Sequence, residues 1–328
     1  MPNKKVFLKV SLPSFLITFG LLSIVQIKSS LQMIIAERFF HNGGWVEIFV
    51  LSFYSGFLAY KMSNQKNTAK WRMYSWLLFS IVFYGQLTLG LLGFEKFLLT
   101  GSLHVPVPAI ILAGPIYRFE FAIMPILFLS TIILSGPSWC SHLCYFGGID
   151  NVFSNSKKYP IQIPIKNKIK WKYSFLAIII AFTILLRIVN IPPIYAAGAG
   201  IALGIIGLLI MAILSSKRKK MIHCTVFCPI GTLVMYLKFI NPFRIKINSS
   251  CTSCMLCAKH CKYDALNKED IESGKPGLTC TYCGDCITTC KFSSIEYKFP
   301  GLTAINSRLL YIIITVSLHA TFLGLGMI

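Results

Sequence analysis

The apolar residues of this chain fall in long blocks separated by short polar stretches. Seven blocks stand out: Val10–Ile27, Trp45–Tyr60, Tyr74–Gly93, Phe119–Ser135, Ser174–Ile191, Ala196–Leu214 and Leu309–Ile328. Each approaches the ~20 residues that carry a helix across a bilayer, so the pattern predicts about seven membrane spans. The sixth block reads "AAGAGIALGIIGLLIMAIL", and its Gly200 and Gly204 form a G-x-x-x-G suited to close helix packing. Between the sixth and seventh blocks the pattern changes. Ile245–Tyr297 is polar, with short strand-like pieces, "RIKIN" at its start and "SIEYKF" at its end.

The expected fold is therefore an α-helical polytopic membrane protein with a small α+β domain inserted before the last span. Residues 1–244 form the membrane domain, 245–300 the inserted domain and 301–328 the C-terminal transmembrane helix. At roughly 50 residues the insert is too small to be stable on burial alone and calls for bound metal.

Composition agrees with a membrane protein. Hydrophobic residues make up 55% of the chain and charged residues 13%, far from the soluble average. The formal charge of +21 would suggest nucleic acid in a soluble protein. Here the basic residues flank apolar blocks, as topology signals and contacts for anionic lipid do, and nucleic-acid binding is not expected. The basic, apolar N-terminus lacks a small-residue cleavage site and reads as an uncleaved first helix. With the N-terminus inside, 27 of the 32 Lys and Arg fall on the cytoplasmic side. These include Lys4, Lys5 and the Lys157–Lys172 loop. That bias predicts a multi-pass protein of a bacterial-type inner membrane, its N-terminus and insert cytoplasmic and its C-terminus outside.

All 12 cysteines belong to patterned strings, and on the cytoplasmic side thiols stay reduced, which favours metal binding over disulfides. "CTSCMLCAKHC" and "CTYCGDCITTC" share the spacing C-x2-C-x2-C-x3-C. In the two-cluster ferredoxin arrangement the fourth cysteine of each string crosses to the other cluster. Cys251, Cys254, Cys257 and Cys290 are therefore assigned to one [4Fe-4S] cluster, and Cys280, Cys283, Cys286 and Cys261 to a second. Zinc is disfavoured, because zinc sites separate their C-x2-C pairs by a longer loop. Lys262 and Lys291 stand where the bacterial string has proline. Proline is not a ligand there, and the nearby lysines favour the reduced, more negative cluster.

The other four cysteines form a second repeat. Cys140 and Cys144 lie in "SGPSWCSHLCYFGG", Cys224 and Cys228 in "MIHCTVFCPIGT". Both are C-x3-C strings followed by an aromatic or proline, a hydrophobe and glycine, and both follow a span directed inward, which marks an internal duplication. Four thiolates at one membrane boundary suit a third iron–sulfur cluster. Two redox-active dithiols, a transient copper site and reduced cysteines with a packing role are the other readings. His142 and His223 read as polar interfacial residues.

Over about Phe119–Tyr297, the multispan pattern, the two C-x3-C strings (one continuing as "CPIG") and the ferredoxin segment resemble the NapH type of membrane quinol dehydrogenase subunit. The membrane half of the NosR-type regulators of nitrous oxide reduction is similar too. The resemblance implies electron transfer between the quinone pool and a partner redox protein or cytochrome within a respiratory system. The chain departs from it in the missing proline of the first C-x3-C, in its three preceding spans and in lacking a flavin-binding domain. The competing reading is a redox maturation factor that reduces a metal or thiol during assembly of a respiratory metalloenzyme. Such a factor leaves its target metal-deficient when deleted, whereas a quinone-reactive protein has clusters that respond to quinol.

A quinone site needs a proton acceptor beside an apolar slot. Glu47, His104 and Glu120 are the candidates from the outer ends of the spans, with Arg118–Glu120 and Glu47–Arg187 as interfacial ion pairs the competing explanation. Haem is not expected, since there is no C-x-x-C-H and only His319 lies well inside a span.

Overall fold

A computed structural model describes residues 7–29, 32–98, 107–120, 123–155 and 167–325. His104, Lys4, Lys5, and Lys157, Lys158 and Lys166 of the expected cytoplasmic loop lie outside the described residues. The longer helices are α1 (Leu12–Lys28), α2 (Gly43–Ser63), α3 (Thr68–Leu91), α4 (Ile110–Arg118), α5 (Ile123–Ser135), α6 (Tyr145–Ser154), α7 (Lys168–Ile188), α8 (Pro193–Ile210) and α9 (Pro229–Leu237). Two short helices follow, α10 (Leu256–His260) and α11 (Asp285–Thr289), and then the long α12 (Ala304–Gly324). A two-stranded sheet pairs β1 (Arg244–Ile247) with β2 (Ile295–Lys298), the two pieces expected at the ends of the insert.

The chain divides into two compact units, residues 1–104 with 297–328, and residues 105–296. The first is a bundle of α1, α2, α3 and α12. Its core includes Val10, Leu58, Ala59, Met62, Ile312, Ile313 and Val316. Small polar residues line the seam between α1 and α2. Thr18 Oγ1 donates to Ser55 Oγ at 2.8 Å, and Ser55 donates to the Ser14 carbonyl at 3.2 Å. Small residues let membrane helices approach closely where hydrophobicity supplies no drive between them.

Six helical stretches are long and apolar enough to span a membrane among the described residues: Phe7–Lys28, Gln65–Leu91, Pro125–Leu143, Lys168–Ile188, Pro193–Arg218 and Ala304–Gly324. The sequence pattern gives seven. The difference is α2, which is 21 residues long but not among the six. Its buried face carries Gly44, Ser52, Ser55 and Gly56, residues selected for packing on neighbouring helices, and these lower its apolarity.

The second unit holds both cysteine repeats. Helices α7 and α8 keep large apolar side chains on their outer faces, with Ile178, Phe182, Leu185, Ile201, Ile205 and Leu209 all exposed, as lipid-facing helices do. The stretch before the fourth block, read from sequence as loop, contains α4. Its apolar run is too short to cross a bilayer, and it ends at Phe119 in the left-handed region (φ 59°).

Candidate iron–sulfur centres

The two C-x3-C strings fold alike. Trp139–Leu143 and His223–Phe227 each form one wide, π-type turn. Cys144 N–H closes the first by donating to the Trp139 carbonyl at 2.8 Å, and Cys228 N–H closes the second on the His223 carbonyl at 2.9 Å. The chain then extends through Cys144 (φ −79°, ψ 114°) and Cys228 (φ −84°, ψ 116°) and starts a helix, α6 or α9. Each second cysteine is thus an N-cap, and Cys228 Sγ accepts from Gly231 N–H at 3.4 Å. N–H groups at a helix start are otherwise unpaired and favour a negatively charged partner. Gly231, which ends the second string, has a steric reason as well. A Cβ at Gly231 would stand 2.9 Å from the Cys224 carbonyl oxygen.

Cys140, Cys144, Cys224 and Cys228 all line one cavity. Cys224 lies within electrostatic reach of the other three. Burial pushes the Cys144 thiol up to about 12 and Cys224 well above the ordinary thiol range, so these thiols ionise only when a cation compensates them. Asp150 fixes the backbone here, its Oδ2 accepting from Cys224 N–H at 3.0 Å. His142 is buried and its Nδ1 pairs with Ser141 Oγ at 2.9 Å, so it is held away from a ligand role. His223 packs on Phe146, with ring centroids 5.5 Å apart.

The two longer strings also repeat each other in backbone detail. Ser253 and Tyr282, Met255 and Gly284, and Asp264 and Ser293 are matched pairs of positive-φ residues. The fourth cysteines accept alike, Cys261 Sγ from Ala265 N–H at 3.3 Å and Cys290 Sγ from Ser294 N–H at 3.4 Å. Electrostatic neighbours sort the thiols into two sets. Cys257 faces Cys251, Cys290 and Cys254. Cys286 faces Cys283, Cys280 and Cys261. The fourth cysteine of each string therefore stands with the other string's first three.

Among the described residues no three His, Cys, Asp or Glu side chains gather as around a single ion. The donor chemistry, four thiols per set with backbone N–H groups on the sulfurs, is that of an iron–sulfur cluster.

Cys280 also lines the cavity of the C-x3-C cysteines, together with Thr279 and Thr281. Two hydrogen bonds tie this junction, Tyr263 O–H to the Cys140 carbonyl at 2.8 Å and Ser141 O–H to the Thr281 carbonyl at 3.1 Å.

The candidates for a quinone site each have their own surroundings. Glu47 accepts from Ala36 N–H at 2.7 Å and lies within electrostatic reach of Arg38. Glu120 is exposed. Arg187 donates to the Tyr117 carbonyl at 3.0 Å and lies over the Phe119 ring. His104 is outside the described residues. Sequence reasoning missed a second, apolar cavity, lined by Phe175, Leu203, Ile206, Ile210, His223 and Cys228 among others. Its one signal was Gly207, where a Cβ would stand 2.9 Å from the His223 ring.

Compared with known families, the chain matches a 4Fe-4S binding domain twice, at residues 117–162 and 200–247. Each match contains one C-x3-C string, and the second ends before Cys251. Neither the curated proteins nor the solved structures yield a match. The doubled domain indicates 4Fe-4S cluster binding, and six helices among the described residues are long and apolar enough to span a bilayer, as in a multi-pass membrane protein.

Proposed function

We propose that the protein relays electrons between membrane quinone and a partner redox protein through three [4Fe-4S] clusters. Cys140, Cys144, Cys224 and Cys228 would hold the innermost. Cys280, Cys283, Cys286 and Cys261 would hold the next, and Cys251, Cys254, Cys257 and Cys290 the outermost. Such clusters supply one-electron transfer, and the chain's own residues supply burial, spacing and access.

The observation that carries the reading is the position of Cys228. It lines the cavity it shares with Cys280, and it also lines the apolar slot between α7 and α8. A carrier entering that slot from lipid reaches the ligands of the innermost cluster without crossing water. The slot's polar group suits a quinone carbonyl, since His223 Nδ1 is buried without a hydrogen-bond partner and a buried polar nitrogen calls for one. In this reading Glu47 and Glu120 are structural residues of the outer helix ends.

The test starts from dithionite-reduced, anaerobically purified protein mixed with duroquinone. Each quinone takes two electrons, one from each of two clusters, and two protons from the buffer. Reoxidation is expected to saturate with quinone, and Gly207→Leu, which fills the slot, should slow it at least tenfold with iron content unchanged. Equal rates in both proteins would overturn the assignment.

The proposed orientation puts both longer strings in the cytoplasm. Cys254 is exposed and serves as reporter in iron-depleted cells. An impermeant maleimide should label it only after the membrane is opened. Labelling of intact cells would reverse the topology.

A further inference from the structure

Three buried lysines each donate to the backbone carbonyl of a cysteine assigned to a cluster. Lys220 Nζ reaches the Cys261 carbonyl at 2.9 Å, Lys238 Nζ the Cys280 carbonyl at 3.1 Å, and Lys172 Nζ the Cys224 carbonyl at 3.3 Å. All three residues are at most 3% exposed. Lys220 is neutralised by Asp264, whose Oδ1 lies 3.0 Å away. Lys172 and Lys238 differ, because among the described residues neither forms an ion pair with a carboxylate. Asp150, the buried carboxylate at the site, is engaged by Cys224 N–H instead.

Two ammonium groups buried without anions are not a stable arrangement, since an unpaired interior charge pays its full desolvation cost. Their surroundings show where the anion belongs. Lys172 lines the cavity of the four C-x3-C cysteines and lies within electrostatic reach of Cys228, Cys140 and Cys224. Lys238 also donates to the Leu278 carbonyl at 2.6 Å, and it lies within electrostatic reach of both Cys280 and Cys140. It stands between the two inner thiol sets.

We propose that Lys172 and Lys238 are the fixed counter-charges of the two inner clusters, positioning residues that raise their reduction potentials and hold electrons at the membrane boundary. This rests on the reading that the C-x3-C cysteines hold a cluster. A cubane with four thiolates is an anion, and reduction adds one more negative charge. A cation held in a low-dielectric interior stabilises the reduced form more than the oxidised one. Lys172 acts on the innermost cluster and Lys238 on that cluster and its neighbour. The outermost, held by Cys251, Cys254, Cys257 and Cys290, has neither.

Redox titration of the full-length protein, read by electron paramagnetic resonance, tests this. Lys172→Met should lower the innermost potential by at least a tenfold change in the reduction equilibrium, ~59 mV for a one-electron couple. Lys238→Met should lower the two inner potentials together. The outermost should not move in either, and Lys172→Arg and Lys238→Arg should restore the wild-type values. Lys268→Met, at a side chain 80% exposed beside Glu272, is the control and should change nothing. Unchanged potentials in the methionine variants would overturn the proposal. So would equal shifts in the methionine and arginine variants, which would mark packing rather than charge. If a methionine variant loses iron, retention by its arginine counterpart supports the counter-charge, and loss from both overturns it. A wild-type protein whose iron content ignores Cys228→Ser would instead remove the innermost cluster itself, a separate failure.

Discussion

Cys228→Ser protein, purified without oxygen, is expected to lose about four of about twelve irons and keep the two clusters of the longer strings. Cys144→Ser should do the same, because the two residues are counterparts in the repeat. Each stands at the N-cap of a helix, Cys144 of α6 and Cys228 of α9. Serine keeps a capping oxygen, so the helix start survives while the thiolate is lost. The protein should therefore stay folded, and iron analysis with the intensity of the cluster signals is the measurement. No loss from either variant would leave the cavity with thiols that bind nothing, and the chain with two clusters.

Cys261→Ser should damage the cluster of the other string, and Cys290→Ser should do so in the opposite sense. The first is expected to abolish the signal that depends on Cys280, Cys283 and Cys286, leaving that of Cys251, Cys254 and Cys257 largely intact. The reason is the sorting of thiols, with Cys286 facing Cys261 and Cys257 facing Cys290. If each variant instead removed the cluster of its own string, the crossed arrangement would be wrong.

Much of this was legible before any coordinates. Cysteine spacing pointed to iron–sulfur chemistry, and each C-x3-C string lies within a 4Fe-4S binding domain. The long apolar blocks are similarly direct, since only a bilayer calls for them. α2 blurs that signal, because a helix that packs against other helices needs small residues more than apolar ones. The lysines were read only as topology signals, and for Lys172, Lys220 and Lys238 that reading is incomplete. No local pattern links Lys172 to Cys224, 52 residues later, because their contact exists only once α7 packs on the turn at His223–Phe227. The wide turns were hidden for a related reason. C-x3-C fits an ordinary helix equally well, and only the hydrogen bonds to Trp139 and His223 show the extra residue in each turn. His223 read as a generic interfacial residue because its apolar surroundings come from α7 and α8 and not from its own segment.

The split of one thiol set between two repeats also has a consequence during synthesis. Cys144 leaves the ribosome about 80 residues before Cys228, which at ~5–20 residues per second is a delay of roughly 4–16 s. On the proposed reading the first pair stands throughout that interval in a nascent chain with half of its site. Iron delivery to the shared site would then follow translation of α9, and a stall between the two repeats would lengthen the time for which the first pair waits without its partner.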